Sequence, residues 1–113
     1  MKKYEIIAVD FDGTLCSDCY PDIGKPNLPL IELLKALKRE GCRIVLWTCR
    51  CGRGLEQAVQ WCEEFGLEFD KVNRNTDEIL EKYGSDSRKI YADVYIDDKA
   101  CFPWEVMAYK KEE

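Results

Sequence analysis

Apolar residues along the chain follow two patterns. Short unbroken runs that halt at a polar residue alternate with stretches that repeat every three or four positions. Lys2 to Val9 ends in Ile6-Ile7-Ala8-Val9 and stops at Asp10, which predicts a buried strand. Asp12-Gly13 opens a loop that runs through Tyr20-Pro21 and Ile23-Gly24 to Pro26. Asn27 then caps a helix with Pro29 in its first turn, where a missing N–H costs nothing. Leu30, Ile31, Leu33, Leu34 and Leu37 form that helix's inner face, and Gly41 stops it. Arg43 to Trp47 is a second buried strand, ending at Thr48. A second helix opens at Gly52 and Gly54, buries Leu55, Ala58, Val59, Cys62 and Phe65, and stops at Gly66. Phe69 to Val72 reads as a short strand. Thr76 caps a short helix with Ile79, Leu80 and Tyr83 that ends at Gly84, and Asp93 to Ile96 is a last strand stopping at Asp97-Asp98. Phe102, Trp104, Val106 and Met107 predict a terminal helix or strand.

The order β-α-β-α-β-α-β with continuous apolar strands predicts a mostly parallel α/β sheet with helices on both faces. Ligands of such sheets bind beyond the carboxyl ends of the strands, where strand order reverses. Asp10, Asp12, Thr48, Asp97 and Asp98 all sit at strand ends, so the sheet is expected to focus them on one edge.

Composition narrows the chemistry. The chain has 113 residues, enough for one domain with one core over 1–113. Acidic residues outnumber basic ones, 22 to 17, for a net charge of −5, which gives no clear nucleic-acid signal. There is no histidine, which excludes a histidine base, a histidine zinc site and every Ser–His or Cys–His nucleophile pair. Met1-Lys2-Lys3-Tyr4-Glu5 leads into an apolar run too short for a signal peptide, and no stretch approaches the ~20 apolar residues of a membrane span. A cytoplasmic, reducing location is expected, with the seven cysteines as free thiols.

Asp10-Phe11-Asp12-Gly13-Thr14-Leu15 carries the sharpest signal. Alternation puts Asp10 and Asp12 on one side of the chain and turns Phe11 into the core. Two carboxylates this close repel unless a cation relieves them, and a hard ion such as Mg²⁺ takes oxygen ligands of this kind. Asp97 or Asp98 supplies a third carboxylate. Gly13 permits a tight turn, leaving N–H groups there and at Thr14 as candidate substrate contacts. The Thr48 hydroxyl and the Cys49 N–H can hold a phosphate oxygen. Lys89, with Arg88 and Lys99 as alternatives, offers an ammonium for phosphate and nucleophile. Arg50 and Arg53 could grip a further oxyanion, exposed surface arginine being the plainer reading.

DFDGTL at 10–15, Thr48, Lys89 and the IDDKA run at 96–100, in that order, resemble the four motifs of the haloacid dehalogenase superfamily, over residues 4 to about 100. The resemblance implies a three-layer Rossmann-like fold and an Mg²⁺-dependent phosphohydrolase, a phosphomonoesterase. In that reading Asp10 is the nucleophile that becomes an aspartyl-phosphate, and Asp12 is the acid, then base. Asp10, the Asp12 backbone carbonyl and the last acidic pair bind the metal, with Asp97 favoured as direct ligand and Asp98 as helper. Thr48 and Lys89 complete the catalytic set.

The intervals Asp12–Thr48 and Thr48–Lys89 are filled by predicted elements and leave no room for the cap domain that many members insert. The chain resembles the small, capless, single-domain bacterial branch, whose open site admits a small or a macromolecular phosphorylated substrate. The loop from Cys16 to Pro26 follows the first motif, where the family carries a small flap, and its Tyr20 and Lys25 either touch substrate or pack as ordinary loop residues. Without the four aspartates, acids and bases nearly balance, so the charge is concentrated at the site and a polyanionic substrate stays open.

Other classes fit less well. Cys16-x-x-Cys19 and Cys49-x-Cys51 could bind zinc or an iron–sulfur cluster, but C-x-C is an unusual zinc spacing, and thiolates crowded beside carboxylates are unfavourable. A phospho-receiver places its acceptor on a middle strand, unlike Asp10 here. A binding protein on a degenerate hydrolase fold would have lost a motif, and none is missing.

Overall fold

The computed structural model describes residues 4–102. Seven elements follow in the expected order: β1 (Ile6–Val9), α1 (Leu28–Arg39), β2 (Arg43–Leu46), α2 (Gly52–Glu64), β3 (Lys71–Val72), α3 (Asp77–Tyr83) and β4 (Val94–Ile96). The four strands form one all-parallel sheet in the order β3-β2-β1-β4. The fold is thus a small α/β domain. Among the described residues, no helix is long and apolar enough to cross a membrane.

Strand alternation sorts the core into two clusters. Ile7 and Val9 of β1, with Ile44 and Leu46 of β2, pack under Ile31 and Leu34 of α1 and Ala58 and Cys62 of α2. Ile6, Ala8 and Val45 face the other way, toward Ile79 of α3 and Ile90 and Ala92. Two helices therefore cover one face, and the third helix covers the other. This arrangement follows from right-handed crossovers: two steps run outward from β1, and the third reverses direction to place β4 on the far side of β1. The reversal opens a crevice at the carboxyl ends of β1 and β4.

Local signals explain the boundaries. The Asn27 side chain accepts the Leu30 N–H at 3.4 Å, and proline occupies the first turn of α1, as its sequence predicts. Gly84 ends α3 in the left-handed region (φ 76°), where a Cβ is penalised. Thr76 precedes α3, but its hydroxyl makes no cap bond.

Some expectations fail in detail. Leu33 is 52% exposed, because the inner stripe of α1 is narrower than five residues. Tyr83 is likewise exposed. β1 starts at Ile6, not Lys2, and β3 keeps only two of its four expected residues. Met1 to Lys3, Trp104, Val106 and Met107 lie outside the described residues.

Candidate active site

Asp10 leaves β1 directly, and its own N–H donates to the Ile96 carbonyl of β4 at 3.0 Å, which locks the two strand ends together. Asp97 and Asp98 follow β4. One carboxylate oxygen from each of Asp10, Asp97 and Asp98 lies within 4.8 Å of the others, although Asp10 is far from the other two in sequence. Phe11 is fully buried, as alternation requires, and packs edge-on against Trp61 of α2 at 5.5 Å. Beside the cluster is an open cleft of about 540 Å³, lined by Asp10, Asp12, Asp18, Tyr20, Trp47, Thr48, Cys49, Arg50, Asp97 and Lys99.

The close approach depends on residues 13 and 14. Gly13 has φ 81°, and the Asp98 carboxylate occupies the space a Cβ would need. Any side chain at 13 would displace Asp98. Thr14 is buried, and its hydroxyl accepts the Asp98 N–H at 3.1 Å. Neither residue lines the cleft. Expected as substrate contacts, they instead pin the β4 exit loop onto the β1 exit loop.

The electrostatics show the strain of the gathering. Asp10 is pushed up to about 6, first by burial and then by the neighbouring charges of Asp97, Asp98 and Asp12, against one hydrogen bond from the Phe11 N–H. Burial pushes Asp98 up as well, but the hydrogen bond and the charge of Lys99 work against it, and Asp98 is held below the usual carboxylate range. The Lys99 ammonium lies 3.4 Å from Asp98, and that contact raises Lys99.

Asp12 is held differently. Arg50 grips both of its oxygens, Nε to Oδ2 and Nη2 to Oδ1, each at 2.8 Å. The Arg50 side chain is 1% exposed. Its remaining contacts are the Asp22 carbonyl at 2.9 Å and the Gly54 carbonyl at 3.4 Å. Its guanidinium lies 5.1 Å from the Phe11 ring centroid and 5.2 Å from that of Tyr20. The Asp12 carboxylate therefore stands outside the three-carboxylate cluster. Arg50 is corrected too: four of its N–H donors go to Asp12 and two carbonyls, which makes it a clamp on Asp12 and not a substrate grip. Arg53 is an exposed arginine in the first turn of α2.

Thr48 lines the cleft and is anchored once through its backbone and once through its side chain. Its N–H donates to Asn73 Oδ1 at 2.8 Å, and its hydroxyl accepts the Arg50 N–H at 3.1 Å. Asn73, in the left-handed region (φ 56°) just after β3, is a positioning residue that sequence reasoning missed; Asn tolerance of that region was the available signal. Cys49 is exposed and lines the cleft.

Lys89 is the clearest correction. It lies over the Tyr95 ring at 5.5 Å and lines a separate cleft with Ile79, Tyr83 and Tyr91. Ile90 next to it turns into the second core cluster, which carries Lys89 to that side. Arg88 is exposed. The ammonium in the acidic cleft belongs to Lys99. Lys25 is also exposed, and of the flap residues expected at the substrate only Tyr20 lines the cleft. Among the described residues, no cysteine joins a group able to hold a metal, and Cys16, Cys19, Cys49 and Cys51 are free thiols. Burial raises Cys16, and it pushes Cys62 up to about 12.

No protein-family model and no curated protein matches the chain. One solved structure does: a conserved protein coded by a locus from Bacteroides thetaiotaomicron, 39% identical, over 98% of this chain and 94% of that one, with a TM-score of 0.77. The chain belongs to the same family as that protein.

Proposed function

We propose that this protein is a phosphohydrolase of the haloacid dehalogenase type, a capless phosphomonoesterase with a three-layer Rossmann-like core that works through an aspartyl-phosphate on Asp10. One observation carries the reading. Asp10, Asp97 and Asp98 gather at the switch point between β1 and β4, at a cost in charge repulsion that a cation would relieve.

The donor set fits a hard divalent ion: three carboxylates, no thiolate and no imidazole. Asp10, Asp97 and Asp98 would hold Mg²⁺, which supplies charge neutralisation at the phosphoryl oxygens when bound. An Asp10 oxygen attacks phosphorus, and the bond from phosphorus to the ester oxygen breaks. The departing oxygen takes a proton from Asp12. Water then attacks the phosphorus, giving its proton to Asp12, and the bond to Asp10 breaks to release inorganic phosphate. Proton delivery requires one Asp12 oxygen to be free of Arg50, so the clamp and the acid–base step are coupled. The Thr48 hydroxyl, the Cys49 N–H and Lys99 are the phosphate contacts this cleft offers. Lys89, which the family resemblance puts in that role, has its ammonium elsewhere. A cytoplasmic location is part of the same reading.

The test is hydrolysis of p-nitrophenyl phosphate by purified protein with and without Mg²⁺. Turnover that needs the ion and stops with EDTA is expected. Turnover indifferent to EDTA would overturn the metal assignment, and none in any divalent metal would overturn the whole reading.

A further inference from the structure

Two aromatic rings line the acidic cleft, and the chemistry at phosphorus uses neither. Tyr20 is 66% exposed, yet its ring is not loose. One face lies 5.2 Å from the Arg50 guanidinium, which in turn holds Asp12 at 2.8 Å. The loop under it is tied down at both ends. The Ser17 N–H donates to the Lys25 carbonyl and the Lys25 N–H to Ser17 Oγ, both at 2.8 Å, while the Asp22 N–H donates to the Cys19 carbonyl at 2.9 Å. Gly24 packs on Ser17 so closely that a Cβ would not fit. Trp47 precedes Thr48, and its ring rests on Tyr95 at 5.5 Å. The Tyr95 hydroxyl is itself anchored on the Ile90 carbonyl at 2.6 Å. Each ring is thus supported from within the protein and also borders the cleft.

Rings held this way offer flat apolar surface at small ordering cost, and aromatic faces favour other π-systems. Cleft charge limits the rest of the ligand. Asp10, Asp12, Asp18 and Asp97 line it, Arg50 is already engaged, and Lys99 is the remaining cation of the described lining. A second phosphate would meet carboxylates.

We infer that the cleft selects monophosphate esters whose leaving group carries a planar, uncharged aromatic ring, with the phosphoryl group at Asp10 and the ring against Tyr20 and Trp47. This rests on the phosphohydrolase reading and names its substrate class. Hydrolysis breaks the bond from phosphorus to the ester oxygen, water supplies the hydroxyl, and the ring leaves with the alcohol product.

The experiment compares phenylmethyl phosphate with cyclohexylmethyl phosphate in the presence of Mg²⁺. Their leaving alkoxides are alike, so the planar ring is the variable. The aromatic ester should be favoured roughly tenfold in kcat/KM, chiefly through KM. Tyr20→Ala and Trp47→Leu should each shrink that preference, and the double variant should bring the ratio near one. Tyr20→Phe should restore it. Nucleoside 5′-monophosphates form a second arm: preference over phenylmethyl phosphate assigns the ring to a base, and the reverse assigns it to an aryl group. Equal use of the two esters by the wild type overturns the inference and leaves the phosphohydrolase reading standing. So does an equal loss on both esters in the single variants, with folding verified by circular dichroism, because the rings would then be structural only. If neither these esters nor p-nitrophenyl phosphate is hydrolysed, the underlying reading falls first.

Discussion

The two ends of the sheet use aspartate in opposite ways. Where the strands begin, Asp70 accepts the Ile44 N–H at 2.7 Å and the Lys38 ammonium at 2.9 Å. Asp93 likewise accepts the N–H groups of Glu5 and Ile6, both at 2.8 Å. Each carboxylate there closes backbone donors that would otherwise be orphaned at the strand starts. Where the strands end, Asp10, Asp97 and Asp98 crowd within 4.8 Å of one another, and Asp10 is pushed up to about 6. Strand starts present N–H groups that welcome a negative charge. Strand ends present carbonyls, which do not. An aspartate at the first end is a structural acceptor, whereas at the second Asp10 is raised by burial and by the charges beside it, and Asp98 is steadied by Lys99.

The sharpest way to break this contrast is Asp10→Asn. Under the proposed chemistry it removes the nucleophile, and phosphatase turnover should fall on the order of 10³-fold or more, with the fold intact by circular dichroism. A fall of less than tenfold would show that Asp10 is not the nucleophile.

Arg50→Ala should be the largest stability loss. It strips the partner from Asp12 and a buried cation from between two rings, at about 3 kcal/mol in urea denaturation. Arg50→Lys, which keeps the charge but not the two-point grip, should fall between it and the wild type.

Asp93→Ala tests the other end of the sheet. It should lose about 2 kcal/mol, because two N–H groups lose a charged acceptor, while kcat per folded molecule stays unchanged. Reduced kcat in the folded variant would mean that the two ends are not functionally separate.

The smallest effect concerns the metal-free protein. Asp10 is raised from 3.8 to about 6 on folding, so its protonated form is favoured in the native state. Its contribution is complete below about 3.8 and fades as pH climbs through about 6. In EDTA, Asp10→Asn should therefore be more stable than wild type at pH 8, by about 1 kcal/mol once solvent screening is allowed for. The gap should close toward pH 4. Thermal melts across that range measure it, and a gap that widens on acidification would contradict the assigned shift.

Much of the molecule was legible in the linear chain. Ile6 to Val9 and Ile44 to Leu46 are apolar on both faces, as covered strands are. Asn27 with Pro29, and Gly84, marked helix boundaries through local backbone chemistry. That Asp10 and Asp97-Asp98 share one edge was legible, because every strand of a parallel sheet delivers its last residue to the same edge, while their approach to within 4.8 Å needed β4 beside β1 and Gly13 and Thr14 against Asp98.

Other features depended on partners distant in sequence. Nothing near Arg50 announces that its guanidinium turns inward to Asp12, between Phe11 and Tyr20. Nothing near Thr14 shows that its hydroxyl faces the Asp98 N–H. Lys89 and Lys99 are equal as letters, and the turn of Ile90 into the second core cluster separates them. Periodicity and capping act over a few residues, so the elements, their order and the edge where the acids gather can be read from the linear chain. The direction a loop side chain takes depends on packing across the whole fold. For that reason the tertiary structure alone decided which cation clamps Asp12, which lysine meets the acids and which rings line the cleft.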